Sequence, residues 1–222
     1  RLSGEVGVDM TYSTKSAFST AVNPTSVVKI SNRIKVLVCT HEFYDSPNCY
    51  GGLLFMDFYE WLLYLVDISV KTDYDWYIKT HPDVMKLTEK IIKEFSKSNP
   101  NFTIIPKNTS FHQLAKDGIS HVLTCYGSVG HECPLLGMSV INAGNNPHMG
   151  YNFNYHPKSL EEYESLLLNL SIVNKKINVD DIYEFYYMHH SNMEIISDDW
   201  FFASYEKMLS DLTESERIEF EI

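Results

Sequence analysis

The residues best suited to chemistry lie in a small-residue turn, where Gly127, Ser128 and Gly130 follow the β-favouring run 119–124. Backbone N–H groups point outward in such a turn, and a helix behind it favours an anion through its dipole. Glycines lack a Cβ, so a ligand can approach the backbone closely. Glu132, just inside the expected helix, can accept hydrogen bonds from sugar hydroxyls. The turn suits a phosphate or a ribose, but an ordinary βα turn without a ligand explains the spacing equally well.

Two histidines follow other predicted strands in the same manner. His41 comes directly after the apolar run 34–39, and His81, with Pro82 behind it, comes directly after 76–79. In a parallel sheet, ligands bind at the carboxyl ends of the strands, near the point where the strand order reverses. We therefore expect both histidines to share one rim of the sheet with the turn residues.

A second candidate anion site is the pair Gly51-Gly52, which precedes the nearly apolar stretch 53–71. We predict a buried helix over 53–71, with the glycines at its N-terminus. Side chains with polar groups recur along it at steps of three and four, which makes one narrow stripe: Asp57, Glu60, Tyr64, Asp67 and Lys71. The three acids exclude a simple membrane span.

Composition indicates a globular protein of one large domain or two small ones. The chain has 222 residues, 44% of them hydrophobic, and a formal net charge of −11. No cluster of lysines and arginines stands out, which argues against a nucleic-acid or anionic-lipid surface covering the molecule. Cys-x-x-Cys pairs are absent, so we expect free thiols in a reducing compartment, with two disulfides as the alternative. The four cysteines are Cys39, Cys49, Cys125 and Cys133.

The order of elements predicts the fold class, an α/β, Rossmann-like parallel sheet flanked by helices with extra helices at the C-terminal end. The predicted strands are 34–39, 76–79, 102–105, 119–124 and 138–142. The predicted helices are 53–71, 84–97, 111–117, a short one near 130–136, 160–170, 179–190 and 199–212. The expected domains are an arm or linker (1–31), the Rossmann-like domain (32–175) and helices packing on it or on a missing domain (176–222).

Residues that begin or end helices support these boundaries. Pro134 lacks an N–H and belongs in a first helical turn, and Gly137 suits a left-handed stop. Ser110 can cap 111–117, which Gly118 would end, and Ser159 with Glu162 forms a capping box for 160–170.

Four short segments, in this order, resemble a known family. They are Tyr77-Ile-Lys-Thr-His-Pro82, Ile104-Ile-Pro106 with Ser110-Phe-His-Gln-Leu114, His121 to Glu132, and Leu136 to Gly144. Together they resemble the C-terminal nucleotide-binding half of bacterial GT-B glycosyltransferases. They are most similar to capsule and surface-polysaccharide transferases with a His-Pro motif. That motif is shared by sialyl- and Kdo-type transferases using CMP-sugars and by teichoic-acid glycerophosphotransferases using CDP-glycerol. The resemblance covers roughly residues 34–170.

The resemblance implies a role for each matching residue. His81 would contact the nucleotide phosphate and act in catalysis, Ser128 would bind phosphate through its hydroxyl and N–H, Glu132 would hold the ribose, and Pro82 would fix the loop. Imidazole donating to a phosphate oxygen stabilises a leaving group as negative charge develops. Further contacts with the nucleotide-sugar substrate are expected from His41, Lys79, Tyr126, Gly127, Gly130, Gly51 and Gly52.

For the other titratable residues, roles in catalysis, ligand binding or metal binding are weighed against simple solvent exposure. Glu42 and Asp45 could be catalytic carboxylates, although acids in surface loops are usually only solvated. His148 and His156 lie in a later loop from which they could reach a ligand. No metal site is predicted, because no set of ligands has metal-binding spacing. A C-terminal group is more simply a solvated helix face: His189, His190, Asp180, Asp181 and Glu184.

The function implied is the donor-binding domain of a glycosyltransferase that uses a CMP- or other NDP-sugar in bacterial surface-polysaccharide synthesis. The alternatives are a CDP-polyol phosphotransferase and a non-catalytic nucleotide-sugar-binding scaffold domain. We expect no cofactor beyond the donor substrate, a glycan or lipid-linked acceptor, no nucleic-acid partner and no transmembrane segment. With this function we expect a protein in the cytoplasm or peripheral at the inner membrane face. The chain begins with Arg1, and we expect a longer transferase with an N-terminal Rossmann domain outside it.

Overall fold

A five-stranded, all-parallel sheet with the order β3-β2-β1-β4-β5 forms the centre of the protein. The computed structural model describes residues 21–191. The strands are β1 (Lys35–Cys39), β2 (Asp75–Lys79), β3 (Phe102–Ile104), β4 (Ile119–Thr124) and β5 (Ser139–Asn142). All four ladders are parallel, and helices connect the strands. The predicted α/β, Rossmann-like fold is therefore confirmed.

Six α-helices accompany the sheet in the described part of the chain. They are α1 (Phe58–Lys71), α2 (Lys86–Ser98), α3 (Phe111–Lys116), α4 (Val129–Glu132), α5 (Leu160–Leu168) and α6 (Val179–Tyr186). Short 3-10 turns cover Cys133–Leu136 and Leu170–Ile172, and a π-helix covers Tyr187–Ser191. The chain divides into two units between Asp181 and Ile182, and the sheet belongs to the first. The predicted helix 199–212 and most of the predicted arm lie outside the described residues, and the domain boundaries at 31 and 175 stay predictions.

Both faces of the sheet are buried, as parallel sheets require. Side chains alternate along a strand, so Val36 and Val38 of β1 face one apolar cluster while Leu37 faces the other. On the first face, the indole N–H of the fully buried Trp61 donates to the hydroxyl of Tyr163 at 2.9 Å. Strands this deeply buried hold the loops at their carboxyl ends in fixed relative positions.

The helix predicted over 53–71 begins later, at Phe58. The Asp57 carboxylate accepts the N–H groups of Tyr59 and Glu60, both at 2.8 Å, and so caps the helix. The residues before it run beside the end of β5, where the Leu54 N–H donates to the Ala143 carbonyl at 2.9 Å. The interpretation of Gly51-Gly52 as this helix's N-terminus is therefore wrong. The segment between the glycines and the helix is instead hydrogen-bonded to the chain after β5.

The other predicted helix ends are largely confirmed. Gly118 and Gly137 both adopt positive φ, at 96° and 79°. Ser110 caps α3 by accepting the Gln113 N–H. The Ser159 hydroxyl accepts from Glu162, as a capping box requires. The second bond of a capping box would join the Glu162 carboxylate to the N–H of Ser159. Here the carboxylate instead accepts the N–H of Lys158, the residue before the cap. Within residues 21–191, no helix has the length and apolar character to cross a bilayer.

Candidate functional site

A cavity of about 370 Å³ opens at the carboxyl ends of three neighbouring strands, β2, β1 and β4. The strand order reverses between β1 and β4, the place where open α/β sheets bind ligands. Seven of the sequence-predicted site residues line this one cavity: His41, Lys79, His81, Pro82, Gly127, Ser128 and Glu132. The expected shared rim therefore exists, with the imidazole at position 81 and the hydroxyl at 128 on the same cavity.

Four other predicted site residues do not line the cavity. Tyr126 lies behind it, where its ring contacts the His41 ring with centroids 4.2 Å apart. The Gly130 backbone packs against the buried side chain of His148. Gly51 and Gly52 lie near Asn145, whose N–H donates to the Gly52 carbonyl at 3.0 Å. None of these four residues contributes to the lining of the cavity.

His81 occupies the turn after β2, where its side chain is exposed towards the cavity. Its Nδ1 accepts the backbone N–H of Asp83 at 3.2 Å, and its carbonyl accepts the Val84 N–H at 3.1 Å. An accepting Nδ1 places the proton of the neutral ring on Nε2. His81 can therefore offer an Nε2–H donor, held in a turn that Pro82 stiffens.

Two buried charged residues lie deeper in the cavity. Lys79 is 3% exposed and Glu132 is 8% exposed. The Lys79 Nζ donates to the Lys107 carbonyl at 2.7 Å and lies 4.9 Å from the centroid of the Phe111 ring. Burial lowers the pKa of Lys79, while the neighbouring thiols and the Glu132 carboxylate act in the opposite direction. The cavity thus combines an amine donor for a phosphate with a carboxylate acceptor for hydroxyl groups.

The small-residue turn closes tightly before α4. The N–H of Gly130 donates to the Gly127 carbonyl at 2.9 Å, and those of His131 and Glu132 donate to the Ser128 carbonyl. The Ser128 hydroxyl makes no capping bond to the helix. With only four residues, α4 adds little dipole, so the helix behind the turn is a weaker anion attractor than expected. The Ser128 hydroxyl is the group that the turn offers to a ligand.

His41 is held by the turn on the neighbouring strand. Its Nε2 accepts the backbone N–H groups of Cys125 and Tyr126, both at 3.3 Å, and lies 3.1 Å from the Thr124 hydroxyl. The ring stacks on Phe58 at 4.9 Å with planes 22° apart. Burial lowers the pKa of His41 to about 3, and the charge of His81 adds to this. The ring is therefore neutral near pH 7, with its proton on Nδ1.

Sequence reasoning missed Glu42, which was expected to be a solvated loop acid. Its carboxylate accepts the Met85 N–H at 2.8 Å and the hydroxyl of the fully buried Thr88. Asp45, by contrast, is exposed at the edge of the cavity. The sequence feature that could have indicated this role is the position of Glu42, close after a buried strand and next to a candidate site residue.

The remaining titratable residues lie elsewhere. His148 and His156 sit in a polar cluster behind α4 and do not line the cavity. All four cysteines are free thiols, so the alternative of two disulfides is wrong. Within the described chain, no three His, Cys, Asp or Glu side chains are grouped as a metal ion would need.

No protein-family model and no curated protein sequence matches the chain. Among solved structures, the chain is similar to KpsC of Thermosulfurimonas dismutans, a beta Kdo 2,4 transferase, with a TM-score of 0.47 and 16% sequence identity. The match covers 73% of this chain and 46% of that one, so the chain spans less than half the length of KpsC. The fold and cavity define the class: a Rossmann-like α/β domain with a pocket at the point where its strand order reverses.

Proposed function

We propose that this chain is the donor-binding domain of a glycosyltransferase and binds a nucleotide-activated sugar in the cavity after β1, β2 and β4. The observation that carries the proposal is the convergence of His81, Lys79, Ser128 and Glu132 on one cavity at the switch point. Three of these offer donors to a phosphate, and the fourth offers a carboxylate to hydroxyls. The ordered motifs shared with His-Pro transferases agree with the same use of these residues.

In the proposed reaction, the acceptor hydroxyl oxygen forms a bond to the anomeric carbon of the sugar and gives its proton to a base. The bond between that carbon and the donor phosphate oxygen breaks, and negative charge collects on the departing phosphate oxygen. The His81 Nε2–H and the Ser128 hydroxyl stabilise that charge, and Lys79 supports them from the cavity floor. Glu132 accepts hydrogen bonds from the ribose hydroxyls and fixes the nucleotide's orientation. The base that activates the acceptor hydroxyl comes from a domain outside this chain.

Calorimetric titration with CMP, CDP, UDP and GDP tests donor binding directly. We expect a cytidine nucleotide to bind best. His81→Ala should raise its Kd about tenfold, because the free energy of one hydrogen bond to a phosphate corresponds to a change of that size in Kd. Glu132→Ala should weaken binding to a similar extent through the ribose. The matched control is His112→Ala, which removes another exposed histidine, on the α3 side of the cavity, and should change Kd by less than about threefold.

Absence of binding by all four nucleotides would contradict the proposal, and so would equal losses in the His81 and His112 variants. Product analysis then separates the two transferase chemistries. A CMP-sugar and CDP-glycerol are offered in turn to the full-length protein with a glycan acceptor. Transfer of the sugar supports the glycosyltransferase, whereas transfer of glycerol phosphate identifies a polyol phosphotransferase. Nucleotide binding without either product favours a scaffold role.

A further inference from the structure

The loop after β1 lies between the two loops that carry the proposed phosphate contacts. Because β1 is paired with β2 on one side and β4 on the other, the residues after it have the loops after β2 and β4 as neighbours. This loop begins with Thr40 and continues with His41 and Glu42. The His41 side chain contacts the loop after β4, and the Glu42 side chain contacts the loop after β2.

The His41 side chain contacts the loop after β4. Its single accepting nitrogen serves two consecutive backbone N–H groups, those of Cys125 and Tyr126. The ring also stacks on Phe58, with centroids 4.9 Å apart, and makes a tilted contact with the Tyr126 ring, with centroids 4.2 Å apart. The two ring contacts and the hydrogen bonds at Nε2 set the ring's position, and the hydrogen bonds also set the position of the backbone that leads into Gly127.

The Glu42 side chain contacts the loop after β2. Met85, at the N-terminus of α2, has no side-chain cap of its own. The carboxylate of Glu42 accepts the Met85 N–H, one of the groups at a helix start that no helix carbonyl can accept, and it also accepts the Thr88 hydroxyl one turn later. It thereby anchors the end of the segment that begins at His81.

We infer that His41-Glu42 is a two-sided brace that sets the separation of the Ser128 turn and the His81 turn, and that both are positioning residues. This inference rests on the proposed function only for the identity of the ligand, since the contacts are within the protein. It reassigns His41 from a nucleotide contact to a residue acting through the turn after β4. The low pKa of His41 is consistent with this role, because a neutral ring keeps Nε2 as an acceptor.

Amide hydrogen exchange on the ligand-free full chain tests the brace without any nucleotide. His41→Ala should speed exchange about tenfold in peptides covering 124–130 and leave 83–90 unchanged, since the lost bonds are local. Glu42→Ala should do the reverse. The conservative variants His41→Gln and Glu42→Gln keep an acceptor oxygen near the same place, so they should restore slow exchange in their own loops.

Unchanged exchange in both alanine variants would overturn the inference, and so would equal acceleration throughout a folded variant. A second readout concerns His41 as a ligand. If it acts through the turn, the combined His41→Ala and Ser128→Ala variant should bind the best nucleotide about as weakly as the worse single variant. Losses that multiply would show direct contact and overturn the positioning role. If no nucleotide binds the unmodified chain, the proposed function fails while the exchange result still decides the brace.

Discussion

Replacing Gly130 by alanine should destabilise the protein by about 2–3 kcal/mol, although alanine is ordinarily the better helix residue by about 1 kcal/mol. Gly130 lies inside α4. A Cβ at this position would lie 2.1 Å from Nε2 of His148, 2.3 Å from its Cε1 and 3.0 Å from Nδ2 of Asn154. The clash outweighs helix propensity because those neighbours cannot move aside cheaply.

The neighbours are constrained by burial and by packing. His148 and Asn154 are each 1% exposed. The His148 ring packs near His131 and Phe153, with both centroids 5.7 Å away, and the backbone N–H of His148 donates to the Asn146 side-chain oxygen at 3.2 Å. An added methyl group must therefore push α4 outward, and α4 carries Glu132 into the cavity.

Urea denaturation of Gly130→Ala measures this cost as a change in the free energy of unfolding. Gly150→Ala is the matched control, because a Cβ there meets nothing within 4 Å, and it should change stability by less than about 0.5 kcal/mol. We also expect weaker nucleotide binding in the Gly130 variant, since Glu132 moves with the helix. A Gly130→Ala protein as stable as the unmodified chain would show that His148 yields easily.

Mild acid should destabilise the protein, by about 2–3 kcal/mol between pH 7 and pH 5. Two half-buried histidines have lowered pKa values. Burial lowers the pKa of His41 from 6.5 to about 3, with the charge of His81 adding to it. Burial also lowers the pKa of His156 from 6.5 to about 4, helped by Lys175 and Lys158. The expected total is discounted for the partial exposure of both rings.

The sign of this change in stability follows from which state, folded or unfolded, binds more protons. Below pH 6.5 the unfolded chain protonates both histidines, while the folded protein keeps them neutral until about pH 4 for His156 and about pH 3 for His41. The unfolded state thus holds more protons across this window, so stability is complete above pH 6.5 and falls as the pH falls through it. At pH 5 ordinary carboxyl groups are still mostly ionised, which isolates the histidine contribution.

The measurement is the free energy of unfolding in urea at pH 7 and pH 5 for four proteins. His41→Gln and His156→Gln should each reduce the difference between the two pH values, whatever they do to stability at pH 7. His112→Gln removes an exposed imidazole and should leave the difference as it is in the unmodified chain. An equal difference in all four proteins would mean that neither buried ring drives the acid response.

Local chemistry in the sequence was enough to predict most of the elements. The β4 boundaries, 119–124, match the prediction, because a β-favouring run ends there, shortly before the small-residue turn that begins at Gly127. Gly118 and Gly137 marked helix ends through a backbone conformation that other residues rarely adopt. Alternating strands and helices then implied a parallel sheet, and the polar residues after its strands implied a common rim. All of these follow from interactions within a few residues of each other.

Only the tertiary structure decided what the side chains near the site contact. Glu42 looked like a solvated acid because its partners, Met85 and Thr88, lie more than forty residues away in the chain. Gly130 looked like a place for a ligand, but its open side is filled by His148. The sequence by itself determined which residues end the strands, since backbone preferences are local. Which atoms of those residues are already bonded depends on the strand order, and that order brings distant loops side by side.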